Sequence, residues 1–108
     1  MSSKNVKLVV FVPISHADIL RQALGEAGAG KIGNYDFCSF SSRGIGRYKG
    51  NENSNPFIGE KGSLESAEEE RIEVLVPREI LKEVVDKMKS VHPYEEVAFD
   101  ICQLEDFE

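Results

Sequence analysis

The sequence predicts an α/β fold in which a strand–helix–strand pattern occurs twice, and three observations point to it. Val6–Val12 is an almost unbroken run of apolar, mostly β-branched residues. Two later stretches, 19–27 and 80–91, repeat apolar residues every three or four positions. Two more, 71–76 and 97–102, alternate apolar and polar residues. The first pattern fits a central strand, the second amphipathic helices and the third half-buried strands.

Each element has a local cause. Pro13 stops the first strand. Ser15 followed by Asp18 resembles a helix start, with the hydroxyl accepting from an orphan backbone N–H. Ile19, Leu20, Ala23, Leu24 and Ala27 form one apolar face, and Gly28 is a natural stop because glycine takes left-handed φ cheaply. Tyr35–Ser41 alternates loosely and is read as the second strand. Gly44–Lys49 is read as a short strand of its own, inside a long connection placed at about residues 42–70. Loops of that length in small domains are more often functional than accidental. Ile72, Val74 and Val76 mark the third strand. Pro77 suits the first turn of the second helix, whose stripe is Ile80, Leu81, Val84, Val85, Met88 and Val91. Pro93 ends that helix and biases His92 toward extended geometry. Val97, Phe99 and Ile101 mark the last strand.

The resulting order, βαββαβ, is solved by a ferredoxin-like α+β sandwich: one antiparallel sheet with both helices on one face. Right-handed crossovers leave one gap between strands 1 and 2, and strand 3 fills it, giving the lateral order 4-1-3-2. In that order Cys38 and Cys102 lie on opposite edges, about 14 Å apart, beyond the roughly 7 Å a disulfide allows. They are expected as reduced, packed thiols within strands. The exit of strand 1, the end of helix 2 and the start of strand 4 meet at one end of the sheet. His16, His92, Glu95 and Glu96 are therefore expected to share a neighbourhood, with Arg43 and Arg47 near it.

Composition sets limits. The chain of 108 residues fits one domain. Its apolar share of 41% supports a core and its charged share of 30% suits a soluble protein. No run is long enough to span a membrane, and Leu8–Val12 is too short for a signal-peptide core, so a cytoplasmic location is expected. The net charge is −6, with a basic excess in residues 1–54 and a strong acidic excess in 55–108. That balance argues against a binder of long nucleic acid. The acidic run Glu65–Glu70 is read as a solvated face.

Five segments, in order along nearly the whole chain, carry a family resemblance: Phe11–His16, Gly28–Asp36, Asn55–Gly59, Glu69–Val74 and His92-Pro93-Tyr94-Glu95-Glu96. With them the chain resembles a stand-alone form of the insert domain of the Nif-three-like (YqfO-type) family. That resemblance implies a domain like those of the PII and CutA proteins, which are trimeric and ferredoxin-like. It also implies that the dinuclear-metal ligands of the larger relatives lie in core halves outside this region. Their suspected hydrolase chemistry therefore does not transfer with the resemblance.

Candidate sites follow from residue types. His16, His92 and one of Glu95 or Glu96 form a set suited to zinc or another divalent metal. The competing reading is structural, with His92 capping helix 2 and His16 lying in a helical turn. Lys31, among Gly28, Gly30 and Gly33, together with Arg43 and Arg47 on the loop, could hold a small anionic ligand such as a phosphate. For Lys31 the alternative is a plain turn. Phe57-Ile58, flanked by Pro56 and Gly59, could dock on a neighbouring subunit. Tyr94 and the paired glutamates could do acid–base work, although such glutamates are commonly just exposed. The expected function is a non-catalytic module that binds a small ligand or metal and acts as a homotrimer or other homo-oligomer. A metal-dependent hydrolase using His16, His92, Glu95 and Glu96 is one alternative, and an assembly scaffold for a partner protein is another.

Overall fold

The computed structural model describes residues 2–107. Strand β1 (Ser2–Pro13) leads into helix α1 (Ile14–Glu26). Strands β2 (Phe40–Lys49) and β3 (Leu64–Pro77) form a long hairpin. A 3-10 turn (Arg78–Ile80), helix α2 (Leu81–Val91) and strand β4 (Phe99–Glu105) complete the chain. The sheet order β2-β3-β1-β4 is the predicted order read from the other edge, and all three pairings are antiparallel. The fold is the expected ferredoxin-like α+β sandwich.

The core lies between the sheet and the helices. Val6, Leu8, Val10 and Val12 of β1 meet Ile72, Val74 and Val76 of β3, Leu20 and Leu24 of α1, and Val84 and Met88 of α2. These are the alternate positions of the strands and the i, i+4 positions of the helices, so each element turns one face inward. Val9 points to the opposite sheet face. It is buried too, flanked by Glu73 and Asp100 on the neighbouring strands.

Helix α1 ends in a Schellman motif. Gly28 takes φ 104°, its N–H bonds to the Gly25 carbonyl, and the Ala29 N–H reaches the Leu24 carbonyl. At the other end of α1 the expected hydroxyl cap is absent. Pro13 is the cap residue, with no side-chain bond to the helix, and Ser15 Oγ lies 2.8 Å from His16 Nδ1 instead. Ile19 departs from the expected apolar face and is more than half exposed.

Three boundaries differ from the sequence reading. Tyr35–Ser41 is not a strand: Ile32 and Tyr35 form a single bridge, and β2 begins at Phe40. Gly33 (φ 57°) and Phe37 (φ 60°) are left-handed and break the extended backbone on either side. Gly44–Lys49 is the second half of β2, and the acidic run Glu65–Glu70, expected as a solvated face, is the first half of β3 with Glu69 and Glu70 buried. The connection thus covers residues 50–63. Cys38, expected in a strand, lies in the turn before β2, and Cys102 is exposed on β4; both are free.

The hairpin outruns the sheet. Pro13, the last residue of β1, is level with Glu69 and, across β3, with Gly44. Residues 45–49 and 64–68 therefore form a two-stranded ribbon without a third strand. The ribbon explains the elongated shape, 50 × 26 × 23 Å. It also explains a radius of gyration of 15.0 Å, where a compact domain of this length has about 13 Å.

Candidate functional site

The site grows from the end of α2. Pro93 cannot continue the helix, and His92 takes extended geometry (φ −78°, ψ 135°) while its N–H still closes on the Met88 carbonyl. The His92 ring is buried. Its Nδ1 accepts from the Tyr94 N–H at 3.1 Å, and its Nε2 lies 2.7 Å from the Phe11 carbonyl oxygen. A backbone N–H can only donate and a carbonyl can only accept, so the proton sits on Nε2 and the ring is neutral. Burial pushes the His92 pKa below its ordinary value; the Phe11 carbonyl and the Glu69 charge pull weakly the other way. His92 thus pins the turn after α2 to the exit of β1.

That pin sets Tyr94. Its hydroxyl donates to Glu69 Oε2 at 2.8 Å. Burial, then the Glu69 carboxylate, push its pKa far up, so the phenol stays protonated. Glu69, on β3, is itself 9% exposed. Its other oxygen lies over Gly46: a Cβ there would be 2.2 Å from Glu69 Oε1. Gly46 is the space into which the carboxylate fits.

The 50–63 connection folds back over this end of the sheet. Tyr48 O–H donates to the Ile58 carbonyl at 2.6 Å, and the Asn55 N–H donates to Glu95 Oε1 at 2.9 Å. Phe57 packs 6.3 Å from Tyr94, ring centre to ring centre, and Tyr48 lies 6.4 Å from Tyr94. Between the connection and the Tyr94–Glu96 turn a cleft of about 670 Å³ remains, floored by Phe11 and Glu69.

The structure brings some of the predicted residues together. His16 and His92 do share one end of the sheet, and each packs against an aromatic ring. His16 meets Phe57 edge-on at 5.5 Å, and His92 lies 4.9 Å from Tyr94. The expected metal set is not assembled. Both His92 nitrogens are engaged, Glu95 is bonded to Asn55, and among the described residues no group of three or more His, Cys, Asp and Glu side chains could hold a metal ion. His92 does not cap α2 through its ring either, since the ring reaches across to β1. Arg47, Glu95 and Glu96 line the cleft, as does Lys49. Arg43, opposite Glu70 on β2, is not among the cleft's lining residues. Lys31 is remote: it pairs with Asp36 at 4.0 Å, in a turn whose Gly30 N–H bonds to Leu75 at the opposite end of β3. The Phe57-Ile58 tip is folded inward, with Phe57 half-exposed.

Sequence reasoning missed Glu69 and Gly46; Tyr48 it placed only in a loop set with Arg43, Arg47 and Lys49. The signal for Glu69 lay in the register of β3, where it shares a face with Arg71 and Glu73. Reading Glu65–Glu70 as one solvated run concealed that its alternate members face opposite sides. Glu70 turns to the helices and pairs with Arg21, while Glu69 turns to the cleft.

No family model matches the sequence. Relatives do. A protein named GTP cyclohydrolase 1 type 2 homolog from Halalkalibacterium halodurans is 53% identical over 98 residues, covering 91% of this chain and 26% of the relative. Its namesake from Bacillus subtilis is 50% identical over 99 residues, covering 92% and 26%. A Bacillus cereus protein described as related to NIF3 superimposes with a TM-score of 0.83 at 44% identity, covering 98% of this chain and 27% of that one. Over nearly its whole length the chain is similar to one segment of these NIF3-related proteins. It spans about a quarter of the length of the curated relatives it matches. CutA of Xylella fastidiosa shares the fold alone, with a TM-score of 0.72 at 14% identity over 98% of this chain and 88% of that one. A CutA of Archaeoglobus fulgidus, described as a periplasmic divalent cation tolerance protein, does likewise at 0.64 and 19%, over 96% and 85%.

Proposed function

We propose that this NIF3-like domain is a non-catalytic, small-ligand-binding regulatory module that works as a homo-oligomer. The cleft between the 50–63 connection and the Tyr94–Glu96 turn is the observation that carries the reading. Its volume suits a small molecule. Its two walls are tied to each other by the Asn55–Glu95 bond, so an occupant that touches both would stiffen the connection. Both tyrosine hydroxyls that line it are spent on holding the walls: Tyr94 on Glu69 and Tyr48 on Ile58. That arrangement favours recognition over proton transfer. The relatives' name, GTP cyclohydrolase 1 type 2 homolog, makes guanine nucleotides one ligand class to test, with Arg47 and Lys49 as the phosphate contacts.

Oligomerisation is supported by what the β2–β3 hairpin leaves uncovered. Phe40, Ile45 and Leu64 are all more than half exposed, and β2 and β4 offer open sheet edges. The reading places the module in the cytoplasm, where both thiols stay reduced. Among the described residues no helix is long and apolar enough to cross a membrane.

The test combines mass in solution, elemental analysis and thermal melts against nucleotides, divalent cations and small organic cations. The reading expects an oligomer, and a melting temperature raised by at least one of these classes in the native protein but not in Gly46→Ala, whose new methyl displaces Glu69. A monomer would remove the assembly claim. No stabilisation by any class would remove the binding claim.

A further inference from the structure

Two neighbouring carboxylates on β3 are equally buried and differently treated. Glu70, 8% exposed, pairs with the Arg21 guanidinium. Glu69, 9% exposed, has the Tyr94 hydroxyl, but among the described residues no lysine, arginine or histidine forms an ion pair with it. A carboxylate withdrawn from water without a cation is costly, and that cost is recovered when a cation arrives. Glu69 faces the cleft, so the cation can arrive there.

The surroundings fit an organic cation. Tyr48, Phe57 and Tyr94 line the same cleft, with centroid separations of 6.3 and 6.4 Å from Tyr94. Ring faces attract ammonium and guanidinium groups, most strongly when these are desolvated. Glu95 and Glu96 add negative charge on the opposite wall. Arg47 and Lys49 also line the cleft, one and three residues beyond Gly46 along β2, and Lys49, about 10 Å on at the usual strand rise, carries basic charge to the distal end. A ligand with a cationic head at Glu69 and an anionic tail toward Lys49 satisfies both ends.

We infer that the cleft takes a small organic cation, a primary ammonium or guanidinium compound of amino-acid type, with its charged head between Glu69 and the Tyr48–Phe57–Tyr94 rings. This rests on the cleft being the ligand site of the module. It narrows the ligand classes to one that the relatives' names do not suggest.

The experiment is calorimetric titration of the oligomer as purified with L-arginine, agmatine and GTP. Both amines are expected to bind, agmatine the more weakly because it lacks the carboxylate that would face Lys49, and Glu69→Gln is expected to weaken each at least tenfold, because glutamine keeps the acceptor for Tyr94 but removes the charge. If Glu69→Gln fails to fold, Phe57→Leu carries the test: it keeps apolar bulk in an exposed connection, removes a ring, and should weaken both amines several-fold. Unchanged affinity in whichever variant is folded overturns the inference. Binding of GTP without either amine overturns it too, but leaves the cleft as a ligand site. No heat with any of the three, together with no thermal stabilisation by any class, overturns both.

Discussion

His92 shows how one buried side chain can hold a site without joining its chemistry. It satisfies the Phe11 carbonyl and the Tyr94 N–H at once. Replacing it with alanine strands both backbone groups and should cost about 2–4 kcal/mol, read from urea melts; a loss under 0.5 kcal/mol would show that water takes its place freely. Its pH behaviour has a definite sign. The folded pKa lies below the ordinary value of about 6.5, so the unfolded chain binds more protons between the two values. The His92 contribution is complete above about pH 6.5 and is lost as pH falls through the folded pKa. His92→Gln should therefore lose less stability between pH 7.5 and 5 than the native protein, and equal losses would contradict the assignment. Gly30 is the second critical position. It holds φ 83°, and a Cβ would meet the Cys38 carbonyl oxygen at 2.5 Å. Gly30→Ala should destabilise by at least about 1–3 kcal/mol through backbone strain. At this scale the sequence exposed His92 through the proline that follows it. It concealed Glu69, because a glutamate within an acidic run carries no sign of the face it takes.

The decisive element is the β2–β3 hairpin with its connection. Two ties close the connection over the sheet: Tyr48 to Ile58, and Asn55 to Glu95. Glu95→Ala removes the second tie and should speed limited proteolysis within residues 50–63 several-fold, leaving the core melting temperature nearly unchanged; an unaltered cleavage rate would show that the tie does not restrain the loop. The hairpin was also the least legible element. Strand alternation is visible when one face is buried, as in Ile72, Val74 and Val76. The ribbon buries little, its β2 half carries Gly46 just after Gly44, and its β3 half is acidic, so neither the alternation nor the residue preferences of a strand are present. The loose alternation of Tyr35–Ser41 belongs to a turn that exposes Tyr35 and Phe37.

For the whole molecule, the topology was readable because it follows from element order and crossover handedness rather than from exact boundaries. The lateral order survived a strand placed several residues too early. That order brought His16, the His92–Glu96 turn and the end of β2 to one pole. It could not tell that each imidazole would pack against an aromatic ring, since ring packing depends on how the 50–63 connection folds back. The proposed ligand site is this pole. Backbone-amide NMR of the protein, recorded while ligand is added from each class in turn, is the test. The account predicts shifts concentrated at Gly46, Tyr48, Phe57, Glu69 and Tyr94 for the ligand that stabilises the protein. Shifts centred instead on the Gly28–Asp36 turn around Lys31, with the cleft amides unmoved, would contradict it.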